Sequence, residues 1–316
     1  DRIMKCLVTG GAGFIGSNLV DRLIDDGHDV KVIDNLSTGN PKNLNSKAIT
    51  YVYDICDYDI IAPLFEDVDT VFHLAAESRI QPTIINPTQA VKTNTFGTCN
   101  VLQTSRENNV RRFVYSSTAS AYGTKNSIPN KETQIENCLN PYSVSKVSGE
   151  KLCTMYYELY GLETIMFRYF NVYGERQPIR GQYAPVVGKF IEQNLIESPL
   201  TIVGDGKQKR DFVNVKDVVE ANILASTVQL DELFQIENNR YERVDYGEVI
   251  NIGTGKNHTI KEIATMISDY HINIEERSGE LQESLSCINK AKSVLNWTPK
   301  VKLEDWIQSQ QKEIKL

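Results

Sequence analysis

Short apolar runs rich in β-branched residues recur along the chain, and longer amphipathic stretches separate them. The runs at 6–8, 30–33, 49–52, 70–74, 113–116 and 163–168 each read as a buried strand. Helical spacing predicts helices over 14–26, near 57–65, over about 87–107 and after Pro141. Nearly continuous apolar strands alternating with helices indicate an α/β fold, a doubly wound parallel sheet covered on both faces. From about Asn171 the rhythm loosens. A loop at 174–181 precedes a helix at 186–196, a strand at 201–203 and a helix at 215–226. The polar, acidic stretch 229–246 reads as an exposed loop. A strand and turn at 248–253 bring the chain back toward its first part, and helices follow at 259–268, 288–295 and 303–311. The expected organisation is a first domain over 1–170, with return segments near 205–228 and 248–258, and a smaller, mostly helical second domain over 171–316.

The first strand runs into Gly10-Gly11-Ala12-Gly13-Phe14-Ile15-Gly16. Glycines at 10, 13 and 16 suit a tight turn, a close approach by a pyrophosphate, and packing of helix on strand. Such a loop alone is often an ordinary strand–helix turn. Here the second strand ends at Asp34, about 20 residues on, as a dinucleotide site requires. A carboxylate there accepts both hydroxyls of an adenosine ribose and repels a 2′-phosphate, and no Arg follows in Asn35-Leu36-Ser37-Thr38-Gly39. The expected cofactor is NAD, not NADP. Asp54-Ile55, past the third strand, is placed either to hold an adenine or as part of a plain loop.

Composition narrows the setting. With 316 residues there is ample core, and 41% hydrophobic with 24% charged residues describes an ordinary globular protein. Net charge is −7 with no basic block, so a nucleic-acid partner is not expected. No apolar run approaches the ~20 residues of a membrane helix, and no secretory signal leads the chain. Met4 reads as the natural start, with Asp1-Arg2-Ile3 an addition. Six scattered cysteines without a C-x-x-C pair argue against zinc and disulfides and for a cytoplasmic location. The four histidines show no ligand spacing, and His73 reads as a packed or cofactor-side residue.

Ser116, Ser117 and Thr118 end the strand at 113–116, at the carboxyl edge where open parallel sheets bind ligands. Tyr142 and Lys146 lie four apart, on one face of the helix after Pro141. An ammonium beside a phenol, with a cationic nicotinamide, favours the phenolate, and a hydroxyl from Ser117 or Thr118 can share the proton on a substrate oxygen. These are the parts needed to take a proton from an alcohol while a nicotinamide takes its hydride. Alone, Y-x-x-x-K is more often an exposed helix pair.

The whole set resembles the extended short-chain dehydrogenase/reductase family, and within it the nucleotide-sugar epimerases. The motifs are T-G-G-A-G-F-I-G-S (9–17), H-L-A-A (73–76), S-S-T (116–118), Y-S-V-S-K (142–146), R-Y-F-N-V-Y-G (168–174), R-D-F-V-N-V-K-D-V (210–218) and N-I-G-T-G (251–255). The resemblance covers essentially the whole chain and implies a Rossmann-type first domain. It implies Tyr142 as general base and acid, Lys146 as its tuner and the holder of the nicotinamide ribose, and Thr118 as the catalytic hydroxyl. Cofactor contacts are implied for Gly10, Gly13, Phe14, Ile15, Gly16, Asp34, Asn35, Ser37, Thr38, Gly39, Asp54, Ile55, Leu74, Ala75, Ala76, Asn94, Ser116, Tyr142, Lys146 and Tyr169. Substrate contacts are implied for Ser117, Thr118, Asn171, Arg210, Arg277 and Ser284, the two arginines clamping a diphosphate. The helices at about 87–107 and 141–160 resemble a pair that forms a homodimer.

Dehydratases of this kind carry Asp-Glu directly after the catalytic Thr, and decarboxylases a Glu two places after it; this chain has Ala119 and Ser120. The resemblance therefore implies C4 epimerisation of a UDP-sugar through a transient 4-keto sugar, with no net redox; the alternatives are another nucleotide-sugar-modifying enzyme of this kind (a decarboxylase, dehydratase or uronate 4-epimerase) or a non-catalytic NAD-binding protein. Matching Arg277-Ser278-Gly279-Glu280 to the family's R-x-G-[DE] segment puts Ser284 at a gate where a bulky Tyr excludes 2-acetamido sugars. A serine there implies UDP-GlcNAc/UDP-GalNAc as substrates, with UDP-Glc/UDP-Gal beside them.

Overall fold

The computed structural model describes residues 2–180, 184–276 and 281–314. Its first part alternates strand and helix: β1 (Lys5–Thr9), α1 (Phe14–Asp25), β2 (Asp29–Ile33), β3 (Ile49–Tyr51), α2 (Tyr58–Ile61), β4 (Thr70–His73), α3 (Ile80–Ile85), α4 (Pro87–Val91) and α5 (Thr98–Glu107). It continues through β5 (Arg112–Thr118), α6 (Pro141–Tyr160) and β6 (Glu163–Tyr169). Pro63 tightens the chain after α2 into a 3₁₀ turn, and a π-helical turn over Lys92–Gly97 joins α4 to α5. The remainder comprises β7 (Asn171–Tyr173), α7 (Val186–Leu195), β8 (Leu200–Val203), β9 (Lys209–Arg210), β10 (Phe212–Asn214), α8 (Val215–Thr227), β11 (Glu232–Glu237) and β12 (Arg240–Val244). The chain ends with β13 (Glu248–Ile252), β14 (His258–Thr259), α9 (Ile260–Ile267), β15 (His271–Ile274), α10 (Asn289–Leu295) and α11 (Leu303–Ile314).

Seven strands form one parallel sheet in the order β13-β6-β5-β4-β1-β2-β3. Its central strands are buried along their length, which is why their apolar residues follow one another instead of alternating with polar ones. Alternate residues feed opposite faces: Leu7, Val71 and Phe113 pack on one side, and Val8, Phe72 and Val114 on the other. A third cluster, with Tyr173, Phe190, Ile202, Ile263 and Trp306, is the core of the later segments.

Helix α6 carries the Tyr-Lys pair, and its ends are well specified. The Asn140 side chain accepts the Ser143 amide at 2.9 Å, Pro141 opens the first turn, and Gly161 closes the helix at φ 72°. Two later segments return to the sheet: β13 pairs with β6, and α8 packs on α1. Arg112 helps tie the return down from a fully buried position, bonding Glu163 on β6 and backbone carbonyls of Ala225 and Val228. No helix is long and apolar enough to cross a membrane, among the described residues.

The stretch 229–246 is not a loop. β11 and β12 form an antiparallel hairpin that turns at Asn239, held at φ 60°. Phe234 and Ile236 turn inward onto the core and Val244 is buried, but Glu232, Arg240 and Glu242 share their face, and the exposed Leu233 and Tyr241 lie on the other, so apolar and polar residues do not alternate cleanly in the sequence. The later part also holds two-stranded pairings the sequence reading passed over, β8 with β15, β9 with β14 and β7 with β10, alongside its helices.

Candidate active site

A cleft of about 1070 Å³ runs along the carboxyl edge of the sheet and on between β7, β9 and α7. At one end is the loop 10–16. A Cβ on Gly10, whose φ is +75°, would lie 2.8 Å from the Ala75 amide nitrogen, and one on Gly16 would lie 2.1 Å from the Gly10 carbonyl oxygen. Both glycines are therefore required by close packing of turn, helix and β4 loop. Gly13 begins α1 with no side-chain cap, and the first turn holds no acidic residue. Its amides and the positive end of the helix are suited to a phosphate, and Gly13, Phe14, Ile15 and Gly16 line the cleft.

Asp34 ends β2, nearly buried, and accepts the Ala12 amide at 2.9 Å and the Leu36 amide at 2.8 Å. A carboxylate keeps lone pairs beyond those two bonds, enough for a ribose diol. Asn35, Ser37, Thr38 and Gly39 line the same end, as do Asp54, Ile55, Leu74, Ala75 and Ala76. The residues present thus fit a dinucleotide with a free 2′-hydroxyl. NADP is expected to bind about 100-fold more weakly than NAD, since a like-charge contact with Asp34 costs a few kcal/mol. Nucleotide released from the purified, denatured protein checks this; NADP as the main species would overturn the role of Asp34.

Behind the β4 loop His73 is fully buried. The Thr9 hydroxyl oxygen accepts the amides of Leu74 and Ala75, both at 3.1 Å, so its proton goes to His73 Nδ1 at 2.6 Å. Nε2–H then donates to Thr98 at 2.8 Å. Burial pushes the imidazole down to about 3, with the Lys146 charge adding to the effect. This histidine is neutral and braces the wall.

In the middle of the cleft β5 and α6 meet. Tyr142, Lys146, Ser116 and Thr118 all line it, with Tyr169. Burial pushes the Tyr142 phenol up, and the neighbouring Thr118 hydroxyl pulls it down. Lys146, nearly buried, sits 4.4 Å over the Tyr115 ring, and desolvation lowers it to about 8. The Tyr115 hydroxyl holds α6 by donating to the Lys146 carbonyl at 3.0 Å. Ser116 and Tyr169 bond each other at 2.9 Å, and Asn222 donates to the Tyr169 hydroxyl at 2.8 Å. Where acid chemistry would need carboxylates there is a 3₁₀ turn, Ala119–Tyr122, and the Ser120 hydroxyl accepts from Thr118 at 3.1 Å.

At the far end Asn171, Arg210 and Ser284 line the wall. Asn171 donates to the Asp211 carbonyl at 3.0 Å and approaches the Ser284 hydroxyl at 3.5 Å. Asp211, fully buried, accepts from Thr254, Gly255 and Ser286 and holds three segments of this wall together. Arg277 lies outside the described residues.

Two expected contacts are placed differently. Asn94 does not line the cleft: it is buried in the π turn, where it grips the Glu77 backbone from both sides and donates to Ser145. Ser117 reaches the cleft wall, but it alternates to the opposite face of β5 from Thr118 and donates its hydroxyl to Glu150 at 3.1 Å. The sequence reading passed over Glu77, Ser78, Arg79 and Gln81, which line the cleft after β4, and Lys189 on α7. Position just past a parallel strand's carboxyl end was the available signal for the first four. Among the described residues no cluster of His, Cys, Asp or Glu could hold a metal ion.

Comparison with known proteins agrees with this geometry. Residues 6–253 match the NAD dependent epimerase/dehydratase family. A putative UDP-glucose 4-epimerase of Methanocaldococcus jannaschii is 38% identical over 309 residues, 95% of each chain. A UDP-glucose 4-epimerase from Thermotoga maritima, solved with UDP-glucose, is 37% identical with a TM-score of 0.87, over 98% of this chain and 100% of that one. A UDP-N-acetylglucosamine 4-epimerase from Methanobrevibacter ruminantium, solved with UDP-N-acetylmuramic acid, is 33% identical with a TM-score of 0.89, over 99% and 98%. A glycine cradle, an aspartate at the ribose position and a family match over most of the sequence lead to one conclusion: the chain belongs to the NAD dependent epimerase/dehydratase family, and NAD is its cofactor.

Proposed function

We propose that the protein is a UDP-sugar 4-epimerase that interconverts UDP-GlcNAc and UDP-GalNAc, with UDP-Glc and UDP-Gal as further substrates. The observation that carries the reading is the grouping of Thr118, Tyr142 and Lys146 at the sheet edge beside a turn that offers only Ala119 and Ser120. Tyr142 accepts the proton of the sugar 4-hydroxyl and later returns it, Thr118 shares that proton, and the Lys146 ammonium favours the phenolate. Bound NAD supplies the hydride acceptor and the donor that returns the hydride to C4. Asn171 and Arg210, with Arg277, anchor the diphosphate. Small residues at 119, 120 and 284 leave the hexose room to present its other face. For the N-acetyl preference the support is Ser284, small and on the cleft wall, together with the relative named for UDP-N-acetylglucosamine.

The test is product analysis after incubation with UDP-GlcNAc, UDP-Glc and UDP-glucuronic acid. The 4-epimers are expected at equilibrium proportions with no build-up of NADH. Loss of carbon dioxide from the uronate, or stoichiometric NADH, would overturn the reading.

A homodimer is part of the same proposal. Val91, Phe96 and Val144 are about half exposed on the α4–α5 and α6 faces, and Phe96 and Val91 line a shallow apolar groove with Pro87. Sedimentation as a monomer at working concentration would remove it. All six cysteines are free, in keeping with the proposed reducing cytoplasm; recovery of the native protein from an oxidising compartment would count against it.

A further inference from the structure

Residues 142, 146 and 150 follow one another at helical spacing along the face of α6 that packs on the sheet. The first two belong to the site already described, and the third is Glu150. It is almost completely buried, yet fully engaged: Arg168 of β6 grips it from Nε at 2.7 Å and Nη2 at 2.8 Å, and Ser117 of β5 donates to it at 3.1 Å. Ser117 is chained directly to Thr118, so the cluster fastens the helix bearing Tyr142 and Lys146 to the strand bearing Thr118. Farther out, Glu136 lies 3.5 Å from Arg168 and 2.7 Å from Lys151. Part of the Arg168 charge is thereby balanced from the side away from the cleft.

We propose that Glu150 is a positioning residue of the active site: held by Arg168 and Ser117, it locks α6 onto the β5–β6 edge and supplies the negative charge that keeps Lys146 an ammonium. Two groups on its own helix act on Lys146 in this sense, Cys153 and Glu150, and Glu150 is the one carboxylate of the two. From β5 it meets the Tyr115 ring, and from β4 the neutral His73. On its own helix it has the Tyr142 phenol, the Cys153 thiol and Glu150. Burial pushes Cys153 well above its ordinary range, so the thiol is uncharged. Burial of Lys146 favours the free amine, and the interactions with Cys153 and with Glu150 oppose that loss, of which Glu150 supplies the one from a carboxylate. The role rests on the epimerase reading only where turnover is measured.

The experiment compares wild type with Glu150→Gln, with Ser117→Ala, and with Glu150→Met/Arg168→Met, which removes both charges and avoids leaving a buried guanidinium alone. Two quantities are followed against pH. One is kcat and KM for the UDP-sugar that wild type turns over. The other needs no substrate: competitive acetylation of the Lys146 amine, read by mass spectrometry. In Glu150→Gln the pH at which the amine becomes reactive is expected to fall by about one unit, and the alkaline limb of kcat with it, while KM stays within about twofold. The double variant is expected to move in the same direction by less, and Ser117→Ala to lower kcat without moving either midpoint. If Glu150→Gln does not fold, the double variant decides. Unmoved midpoints overturn the proposal, even where kcat drops, because a purely structural Glu150 changes the height of the profile and not its position. Normal acetylation shifts with no epimerase activity in wild type would instead overturn the functional reading and leave Glu150 standing.

Discussion

Tyr142→Phe is expected to lower 4-epimerase kcat by about 1000-fold, within the range that a positioned acid–base group contributes. The ring stays, so packing at the head of α6 is kept, and binding of NAD and the thermal midpoint are expected to change little. What goes is the oxygen that faces Thr118 in the middle of the cleft. Burial raises the phenol and Thr118 pulls it down, with burial the larger effect, so the unliganded site holds Tyr142 protonated at neutral pH. The base is therefore expected to form only when the positive charge of the bound cofactor joins that of Lys146. A sign follows for the pH profile. Lys146, lowered to about 8, carries its charge below that value and loses it above, so turnover is expected to fall as pH rises through about 8. Single-turnover and steady-state rates across pH check both points. A Tyr142→Phe variant within tenfold of wild type would make the residue structural.

The second large effect concerns what the cleft admits. Ser284→Tyr is expected to cut kcat/KM for UDP-GlcNAc relative to UDP-Glc by about 100-fold or more. Ser284 is buried, its amide bonds the Lys209 carbonyl at 3.0 Å, and its hydroxyl accepts from the Asp211 amide at 3.3 Å. Its hydroxyl packs against Asn171 and Asp211, and Asp211 is itself pinned by Thr254 and Ser286. A phenol ring at this position has only the cleft to enter, where it occupies volume that a 2-acetamido group needs. The lost serine bond costs about 1 kcal/mol of stability, small beside the selectivity change. The measurement is the ratio of the two kcat/KM values in wild type and variant. A ratio that hardly moves places the gate elsewhere.

Much of the fold was legible because the sheet is buried on both sides. Strands such as β4 and β5 carry consecutive apolar residues at their centres, and α6 carries its own start and stop in Asn140, Pro141 and Gly161. The hairpin β11–β12 was not legible, since Glu232, Arg240 and Glu242 share a face with Phe234, Ile236 and Val244 while Leu233 and Tyr241 are exposed on the other, which erases the period of two. Strands of two or three residues such as β9 and β7 leave no period to detect. Within the site, the glycine loop and Asp34 were readable from spacing, because each serves one local purpose. Ser117 and Asn94 were harder. Motif position brings both to the neighbourhood of the ligands, but the direction of a side chain depends on which face of β5 it leaves, or on a π turn that rotates the helix. Glu150 carried no signal at all; its meaning lies in Arg168 and Ser117, far from it in the chain.

The return of the chain to its first sheet has a consequence for synthesis. β6 lies between β5 and β13, and β13 is made some eighty residues after β6 (248 against 169). Until then β6 is a bare edge, long and apolar, of the kind that recruits foreign strands. α8, which covers α1, also comes late. On the ribosome the nucleotide-binding half thus cannot complete itself before most of the other half has emerged. Cutting the gene near residue 170 is expected to give a first fragment with an exposed seam, prone to aggregate.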